Sequence, residues 1–503
     1  MLNGLVSWVL RKRITQIREW MEHPDTWQEK VLIQQISKAK DTEWGKKFDY
    51  KSIKSIDDFK LRVPVSEYDS FLPYINRIMK GEQNILWNEQ IKWFSKSSGT
   101  TAEKSKFIPV SENSIENCHY RGVIDMMAAY CIENENTNIF SGKGLIVGGS
   151  HQINSFNENS KYGDLSAILM QNMSMWAQWY RTPDLSIALM DDWEKKIEAL
   201  VQSTVHENVT NISGVPTWTI VLIKRLFELS GKNNLKDVWP ELELYMHGGV
   251  SFSPYREQFK NLIRFSEMNY YQSYNASEGY FAFQFGKHDD DMLLHMNTGI
   301  FYEFMPMSEY GKENPRTLQL HEVKPKENYA LIISNSSGMW RYLIGDTIQF
   351  TSVAPYKIIV SGRVKHYINA FGEEVMVDNA DRAIGVATQQ TNSVVRDYTV
   401  APVYLSIQSK GCHQWLIEFE NPPADLALFT KILDDTLRAV NSDYDAKRNG
   451  DIAVLQPQIK ILPDGTFHRW LKQKGKLGGQ HKVPRLSNNR EFVEEILEMI
   501  SGS

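Results

Sequence analysis

The sequence has few cysteines and no motif that would pair them. Its 503 residues include only Cys118, Cys131 and Cys412, which are widely spaced and form no CxxC pair. A disulfide framework or a structural zinc site is therefore not expected. The twelve histidines show no HExxH or HxH spacing either. These absences predict unpaired thiols in a reducing, cytoplasmic compartment.

Positive charge is not in surplus, because 56 Lys and Arg residues stand against 61 Asp and Glu residues, a net charge of −5. A nucleic-acid binder that works through bulk charge carries an excess of Lys and Arg. No nucleic-acid partner is therefore expected, although a local basic site for one nucleotide remains compatible with this charge. The sequence also shows no heptad repeat or extended apolar stripe, so we expect a monomer.

Long hydrophobic runs are also missing, since no stretch reaches the ~20 residues that span a bilayer. The N-terminus, MLNGLVSWVLRKR, has a short apolar part followed by its charges, whereas a signal peptide places charges first. We expect a helix that docks on the body of the protein through Leu2, Leu5, Val6, Val9 and Leu10. A membrane-surface anchor is the alternative interpretation.

Strand and helix patterns alternate through the first half of the chain. Predicted strands are Ile91–Phe94, Gly144–Gly149, Asn211–Val215, Leu242–Met246 and Glu267–Tyr271, and predicted helices are Ser111–Cys131, Trp193–Glu207, Trp218–Leu229 and Pro254–Ile263. This order predicts a largely parallel sheet with covered faces. Ligands of such sheets bind where loops leave the carboxyl ends of strands.

The secondary-structure pattern predicted from the sequence then changes twice along the chain. Residues 282–360 are rich in strand patterns, and the remainder shows a β-β-α-β-α order with strands Tyr398–Gln408, Trp415–Glu420 and Ala453–Leu462 and helices Asp425–Val440 and Asn489–Met499. We predict an α/β fold with a large N-terminal domain of mixed sheets and a β-rich subdomain (residues 1–360). A hinge (residues 361–366) and a small mobile C-terminal α+β domain (residues 367–503) follow.

Four short stretches carry candidate chemistry. The first, residues 97–106, reads SSGTTAEKSK, in which small residues let the backbone approach phosphate oxygens and a lysine adds a charge. It is not a Walker A loop, and a solvated polar loop is the bland alternative. The second, residues 274–279, reads YNASEG: its tyrosine could lie on an adenine and its acid could hold Mg²⁺, or the stretch could be a plain β-turn with a helix-capping Glu.

The third stretch, residues 340–346, reads WRYLIGD, whose terminal Asp could accept hydrogen bonds from ribose hydroxyls or could simply be a turn residue. The fourth, residues 361–372, begins SGRVKHYI and lies where the texture changes, so it is a candidate hinge. In this order the four motifs resemble the adenylate-forming (ANL) superfamily, and within it the plant-type GH3 acyl-acid amido synthetases and their bacterial relatives. The stretch GQHKVPR at residues 479–485 also resembles the C-terminal motif of that family.

The resemblance implies a ligase that uses ATP and Mg²⁺ to adenylate a small carboxylic acid and then joins the acyl group to an amino acid. It implies phosphate contacts from Ser97, Ser98, Gly99, Thr100, Thr101 and Lys106, and Mg²⁺ binding by Glu278 beside Ser277. It implies an adenine site bordered by Gly248, Gly249, Val250, Tyr274, Asn275 and Ala276, and ribose contacts from Asp346 and Arg363. Lys482 is the implied catalytic lysine of the C-terminal domain, with Lys106 and Glu278 as its catalytic counterparts.

Two features leave questions open. Glu103 and Ser105 stand where the family pattern has Gly and commonly Pro, which bears on how the loop touches the phosphates. Lys472, Lys474 and Lys476 compete with Lys482 for its role. Three residues are candidates for the acyl pocket: Arg121, Val215 and Trp218. The alternative is that Arg121 is an ordinary surface residue and that Trp218 packs in the core. An acyl-CoA ligase, or a nucleotide-binding protein without catalysis, would fit the same motifs; no GxSxG elbow supports a serine hydrolase.

Overall fold

The structure is a computed structural model. It describes residues 2–97, 106–148, 153–190, 192–249, 252, 255–265, 267–364, 367–368, 370–371, 373, 375–403, 411–441, 444–445, 448, 454–474 and 483–501. Two compact units divide the chain. The large unit comprises Met1–Gly249 and Ile263–Ile359, and the small unit comprises Val250–Leu262 and Val360–Ser503. The small unit thus takes a short segment from the middle of the N-terminal half.

The large unit is built on an eleven-stranded mixed sheet, in the order β12-β13-β14-β15-β11-β10-β9-β8-β7-β3-β6. Its strands are β3 (Lys143–Val147), β6 (Arg181–Thr182), β7 (Val209–Gly214), β8 (Leu244–Gly248), β9 (Asn269–Ala276), β10 (Gly279–Phe283), β11 (Met292–Leu294), β12 (Ile300–Pro306), β13 (Asn328–Asn335), β14 (Tyr342–Val353) and β15 (Tyr356–Arg363). From β6 to β9 neighbouring strands are parallel, whereas β9 and β10 are antiparallel. The predicted parallel sheet is therefore only one half of a mixed sheet.

The large unit also contains a separate four-stranded sheet of order β2-β1-β5-β4. Its members are β1 (Trp93–Ser97), β2 (Lys106–Val110), β4 (Asn154–Asn157) and β5 (Ser160–Gly163). β1 and β2 are antiparallel, with Ser97 opposite Lys106. The serine-rich stretch of the sequence therefore connects two paired strands.

Helices cover these sheets. In the large unit they are Leu2–Glu22, Pro24–Ala39, Glu43–Lys47, Ile56–Arg62, Tyr68–Met79, Glu112–Ser114, Arg121–Glu133, Leu165–Asn172, Met175–Trp179, Leu185–Ala188, Trp193–Thr204, Pro216–Ser230 and Leu235–Val238. The predicted N-cap is confirmed, because the Ser111 side chain accepts a hydrogen bond from the backbone N–H of Ser114. A π-helical stretch, Ile115–Tyr120, separates Glu112–Ser114 from Arg121–Glu133. Such stretches are frequent near functional sites.

The first helix agrees only in part with its prediction. Leu10 packs against the core, but Val9 is 51% exposed, so the expectation that Val9 docks is wrong. Two consecutive residues of a helix lie about 100° apart around its axis, so Leu10 faces the core whereas Val9 points away from it. No described helix has the length and apolar character needed to cross a membrane.

The small unit contains a three-stranded sheet of β18 (Val394–Val403), β19 (Cys412–Asn421) and β20 (Gln458–Leu462), besides the short pair β16 (Tyr367–Ile368) and β17 (Val375–Met376). Its helices are Arg256–Leu262, Val377–Thr391, Leu426–Val440, Thr466–Gln473 and Glu491–Ser501. Val377–Thr391 was absent from the sequence prediction. Its buried face consists largely of alanines, Ala380, Ala383 and Ala387, which give a weak hydrophobic signal although they pack in the core.

Candidate active site

The acid of the YNASEG stretch lies on a tight β-hairpin. β9 and β10 pair with Gly279 opposite Ala276 and Tyr280 opposite Asn275, which leaves Ser277 and Glu278 as the two-residue turn. A side chain at position 279 would place its Cβ 2.4 Å from Ile300 Cδ1, so the end of the Ile300 side chain packs directly on this glycine. The backbone carbonyl of Glu278 accepts a hydrogen bond from Asn335 Nδ2 at 2.9 Å. The turn is therefore held by β13 as well as by its own strands.

The same turn is fixed to the start of the serine-rich stretch. The Ser277 Oγ lies 2.8 Å from the Oγ of Ser95, which is fully buried on β1. Ser97 ends β1 and Lys106 begins β2 directly opposite it. Ser98, Gly99, Thr100 and Thr101 lie outside the described residues. Ser97 and Lys106, the two ends of the predicted phosphate loop, thus lie on β1 and directly opposite it, and β1 is the strand that contacts the Glu278 turn.

Lys106 contacts an aromatic ring that sequence reasoning missed. Its Nζ lies 5.5 Å from the ring centroid of Tyr68, and the Tyr68 hydroxyl accepts from the backbone N–H of Phe107 at 2.8 Å. Burial raises the pKa of Tyr68; the backbone hydrogen bond of Phe107 opposes this rise, and the charges of Asp69 and Glu278 add to it. The charge of Glu278, the predicted metal ligand, thus acts on the same tyrosine that Lys106 contacts.

A second pair joins the YNASEG and WRYLIGD stretches. The Tyr274 hydroxyl donates to Asp346 Oδ2 at 2.6 Å, and both residues are only 8% exposed. Gly345, just before Asp346 in β14, has a φ of +95°, a conformation that glycine adopts readily. The two motifs, far apart in sequence, therefore meet through one short hydrogen bond.

The predicted adenine loop follows β8, which ends at Gly248. Gly248 pairs with Ser273 of the parallel strand β9, and a Cβ at position 248 would lie 2.5 Å from the Ser273 carbonyl oxygen. Gly249 has a φ of +78°. Close strand approach and a left-handed turn thus explain both glycines, whereas Val250 lies outside the described residues.

His119 is a buried neighbour of the site with no sequence signal. Its Nδ1 lies 2.9 Å from Asn275 Oδ1, so Nδ1 carries the proton and donates. Burial lowers the pKa of His119 to about 4, against a smaller opposing effect of the Asn275 hydrogen bond. Among the described residues its Nε2 has no hydrogen-bond partner. A neutral imidazole therefore supports Asn275 next to the Glu278 hairpin.

The remaining predicted residues that the structure describes belong to other helices and strands. The Arg121 Nη2 donates to Asn117 Oδ1 at 3.0 Å, and burial, followed by repulsion from Arg13, lowers its pKa while Asp125 opposes this. Val215 precedes the helix Pro216–Ser230, and Trp218 lies half-buried in its first turn. Arg363 is exposed at the end of β15 in the small unit, and Lys482 lies outside the described residues.

Ser95, Tyr68 and Asn335 were missed for a common reason. Each contacts a motif that is far away in sequence, and none lies in a glycine-marked loop. The SSGTT motif starts only two residues after Ser95, which is the one local signal that could have been used.

Comparison with solved structures defines the class of fold. The chain resembles the structure described as AtGH3.15 acyl acid amido synthetase in complex with 2,4-DB, with a TM-score of 0.79, 16% identity and coverage of 97% of this chain and 95% of that one. It also resembles 2-hydroxyisobutyryl-CoA ligase in a postadenylation state, with a TM-score of 0.53, 13% identity and coverage of 98% and 92%. The fold is therefore that of the adenylate-forming enzymes, as the sequence predicts.

Sequence profiles identify the family. The GH3 family N-terminal domain matches residues 13–268, the central domain residues 293–363 and the C-terminal domain residues 378–491. The chain belongs to the GH3 family. Relatives include indole-3-acetic acid-amido synthetase GH3.3 of Arabidopsis thaliana, 23% identical over 96% of this chain and 93% of the relative. Jasmonoyl–L-amino acid synthetase JAR4 of Nicotiana attenuata is 23% identical over 85% of each chain.

Proposed function

We propose that this protein is an ATP-dependent acyl-acid amido synthetase. It adenylates a small carboxylic acid with release of pyrophosphate and then transfers the acyl group to the amine of an amino acid. Family membership supports the reaction class, because the relatives are named for coupling acids to amino acids. The structural observation that carries the proposal is the Ser95–Ser277 contact, which joins the strand before the phosphate loop to the Glu278 turn.

Each proposed role follows from the charge that the first step must manage. A carboxylate attacks the α-phosphate of ATP, so two anions must approach one another. The Lys106 ammonium, together with Ser97, Ser98, Gly99, Thr100 and Thr101, neutralises and orients the outer phosphates. The adenine is bordered by six residues: Tyr274, Asn275, Ala276, Gly248, Gly249 and Val250. Asp346 accepts hydrogen bonds from the ribose hydroxyls, and Arg363 helps to orient the ribose. The acyl group lies near Arg121, Val215 and Trp218.

Mg²⁺ fits the Glu278 turn. Magnesium prefers oxygen ligands and commonly uses one or two carboxylates together with substrate phosphates, rather than a cage of protein ligands. Glu278 lies on the two-residue turn beside Ser277, and its backbone carbonyl accepts a hydrogen bond from Asn335. Bound there, the ion would supply positive charge at the phosphates.

In the same proposal, each part of the chain has its own role. Residues 1–360 bind ATP and the acid, residues 361–366 act as a hinge, and residues 367–503 form a mobile domain. That domain brings Lys482 to the reacting carboxylate during adenylation and withdraws it for the amine. Motions of this kind complete a site and exclude water, which would otherwise hydrolyse the acyl-adenylate.

The test is incubation with ATP, Mg²⁺ and a panel of carboxylic acids, with and without amino acids, followed by mass spectrometry and a pyrophosphate assay. We expect amide, AMP and pyrophosphate. The variants Glu278→Gln and Lys106→Ala should lose adenylation, whereas the exposed Glu313→Gln should retain it. Full pyrophosphate exchange by Glu278→Gln would show that Glu278 does not hold the metal.

An acyl-CoA ligase is the second candidate, because a CoA ligase shares the fold. Addition of CoA to the same reactions separates the two functions. Thioester formation without any amide would establish the ligase and refute the synthetase. ATP binding without pyrophosphate release, across the whole acid panel, would favour a nucleotide-binding protein without catalysis.

A further inference from the structure

A short helical segment near the adenine loop belongs to the small unit. The chain leaves the large unit after Gly249 and returns at Ile263, so Val250–Leu262 is grouped with Val360–Ser503. Phe252, Tyr255 and the helix Arg256–Leu262 form its described part, which we call the strap. The chain therefore passes between the two units three times, and two of these passages flank the strap.

Arg485 contacts the strap within the small unit. Its Nη2 donates to the Tyr255 hydroxyl at 2.7 Å, and its Nη1 donates to the Tyr398 carbonyl at 3.0 Å and to Asp397. The guanidinium also lies 4.4 Å from the ring centroid of Tyr398. Tyr255 is 2% exposed. One partly buried arginine thus binds the strap and β18 simultaneously.

A second hydrogen bond holds the other end of the strap to the same strand. Gln258, which is 5% exposed, donates from Nε2 to the Val395 carbonyl at 2.6 Å. The rings of Phe252 and Phe259 pack with their centroids 5.2 Å apart, which stiffens the strap locally. Two hydrogen bonds, of which the Gln258–Val395 bond is fully buried, therefore attach this short segment to the rest of the small unit.

Arg485 is itself anchored through its backbone. The Val400 N–H donates to the Arg485 carbonyl at 2.9 Å, the Ser487 N–H donates to the Val400 carbonyl at 3.1 Å, and Thr399 Oγ1 donates to the Pro484 carbonyl at 2.6 Å. The residue that follows the GQHKVPR stretch, Leu486, therefore forms an isolated parallel bridge with Val400 of β18. These backbone hydrogen bonds position Arg485 independently of its contact with the strap.

We propose that Arg485 is a positioning residue that makes the strap move as one body with the small unit, and so couples that unit to the glycines of the ATP site. Phe252 lies only three positions after Gly249 in the chain, so a displacement of the small unit is transmitted to Gly248 and Gly249. This inference rests on the proposed function. Coupling is reciprocal, and ATP binding at the glycines must therefore favour one position of the small unit. The hinge at residues 361–366 would then not be the only connection that governs the motion.

The test uses the full chain and compares Tyr255→Phe with Tyr398→Phe. The first variant removes the hydroxyl that accepts from Arg485, and the second removes the hydroxyl that donates to Asp381 in the same cluster and leaves the Arg485–Tyr255 hydrogen bond in place. Hydrogen-exchange mass spectrometry, with and without ATP and Mg²⁺, measures the exchange rates of the backbone amides in β8 and in the strap. Pyrophosphate-exchange kinetics measure KM for ATP and kcat separately.

In the wild-type protein we expect ATP to slow exchange in both β8 and the strap. In Tyr255→Phe the strap should lose this response, and KM for ATP should rise about fivefold, the effect of one hydrogen bond, with kcat changed less. Tyr398→Phe should keep both responses. Because Arg485→Ala could unfold the small unit, Tyr255→Phe carries the test.

Two results would overturn the inference: a strap that does not respond to ATP in the wild-type protein, or equal losses of thermal stability in both variants with unchanged KM for ATP. Failure of the proposed function looks different, since the wild-type protein would then release no pyrophosphate with any acid. In that case the hydrogen-exchange response to ATP alone still decides whether the strap is coupled.

Discussion

Buried polar side chains around the Glu278 turn hold one another in place. Ser277 contacts Ser95, Asn335 donates to the Glu278 carbonyl, and His119 contacts Asn275. Each of these contacts joins residues more than 50 positions apart in the chain. A site assembled in this way is positioned before substrate arrives, which lowers the cost of orienting the reacting groups.

His119 should make stability depend on pH. Its pKa is about 4 in the folded protein, below the ordinary value of 6.5, so the unfolded chain binds a proton first as the pH falls. Stability that is fully present above pH 6.5 should decline as the pH falls towards 4, by up to about 3 kcal/mol. Chemical denaturation of His119→Gln between these pH values should show a flatter profile, with exposed His288→Gln as the control. Parallel profiles for His119→Gln and the wild-type protein would contradict the assignment.

Arg341 of the WRYLIGD stretch stabilises the fold rather than contacting the site. Its Nε and Nη2 donate to the two carboxylate oxygens of Glu303 at 2.8 and 2.7 Å, and both residues are at most 5% exposed. Arg341→Met should leave a buried, unpaired carboxylate and lower the free energy of unfolding by about 3–5 kcal/mol.

Two controls sharpen this prediction. The double variant Arg341→Met with Glu303→Leu should recover much of the loss, because neither charge then remains buried. Arg316→Met breaks an exposed pair with Glu322 and should cost less than about 1 kcal/mol. Equal effects of Arg341→Met and Arg316→Met in chemical denaturation would refute the buried-pair argument.

At the scale of elements, the close approach of β8 and β9 governs the adenine loop. Gly248→Ala would place a methyl group 2.5 Å from the Ser273 carbonyl, so one parallel strand must move. We expect a loss of stability of about 1–3 kcal/mol, together with weaker ATP binding, because the strand end is displaced. Thermal unfolding and ATP titration measure the two effects. Gly4→Ala, where no atom lies within 4 Å of the new Cβ, is the matched control and should leave ATP binding unchanged.

At the scale of the whole molecule, the boundary between units is not a single point in the sequence. A chain that ends at Ile359 would keep the strap but lose Val395 and Arg485, its hydrogen-bond partners in the small unit. Such a truncated chain should expose the apolar side chains of Phe252, Tyr255 and Phe259 and bind a hydrophobic dye.

Replacement of residues 250–262 by a Gly/Ser linker in the truncated chain should reduce this dye binding and raise the unfolding temperature. The reason is that the linker carries no apolar side chains that need a partner. If the unmodified truncated chain binds no dye and unfolds at the same temperature as the linker version, then the strap does not depend on the small unit.

The order of the motifs in the sequence was enough to predict the fold class, the family and the reaction class. Local patterns also placed the Ser111 N-cap and the strand before Gly248, because capping and strand hydrophobicity depend on neighbouring residues. The alanine-faced helix Val377–Thr391 was missed, since its burial depends on packing and not on strong hydrophobicity. The site assignments from the resemblance remain predictions.

Only the tertiary structure decided which residues surround the motifs and which unit each segment joins. Tyr68 lies beside Lys106, Tyr274 donates to Asp346, and Tyr255 contacts Arg485. The last two contacts join residues 72 and 230 positions apart. The sequence pattern around a residue reports its local conformation. It does not report its distant partner, because that partner is selected by the packing of the whole sheet and helix layers.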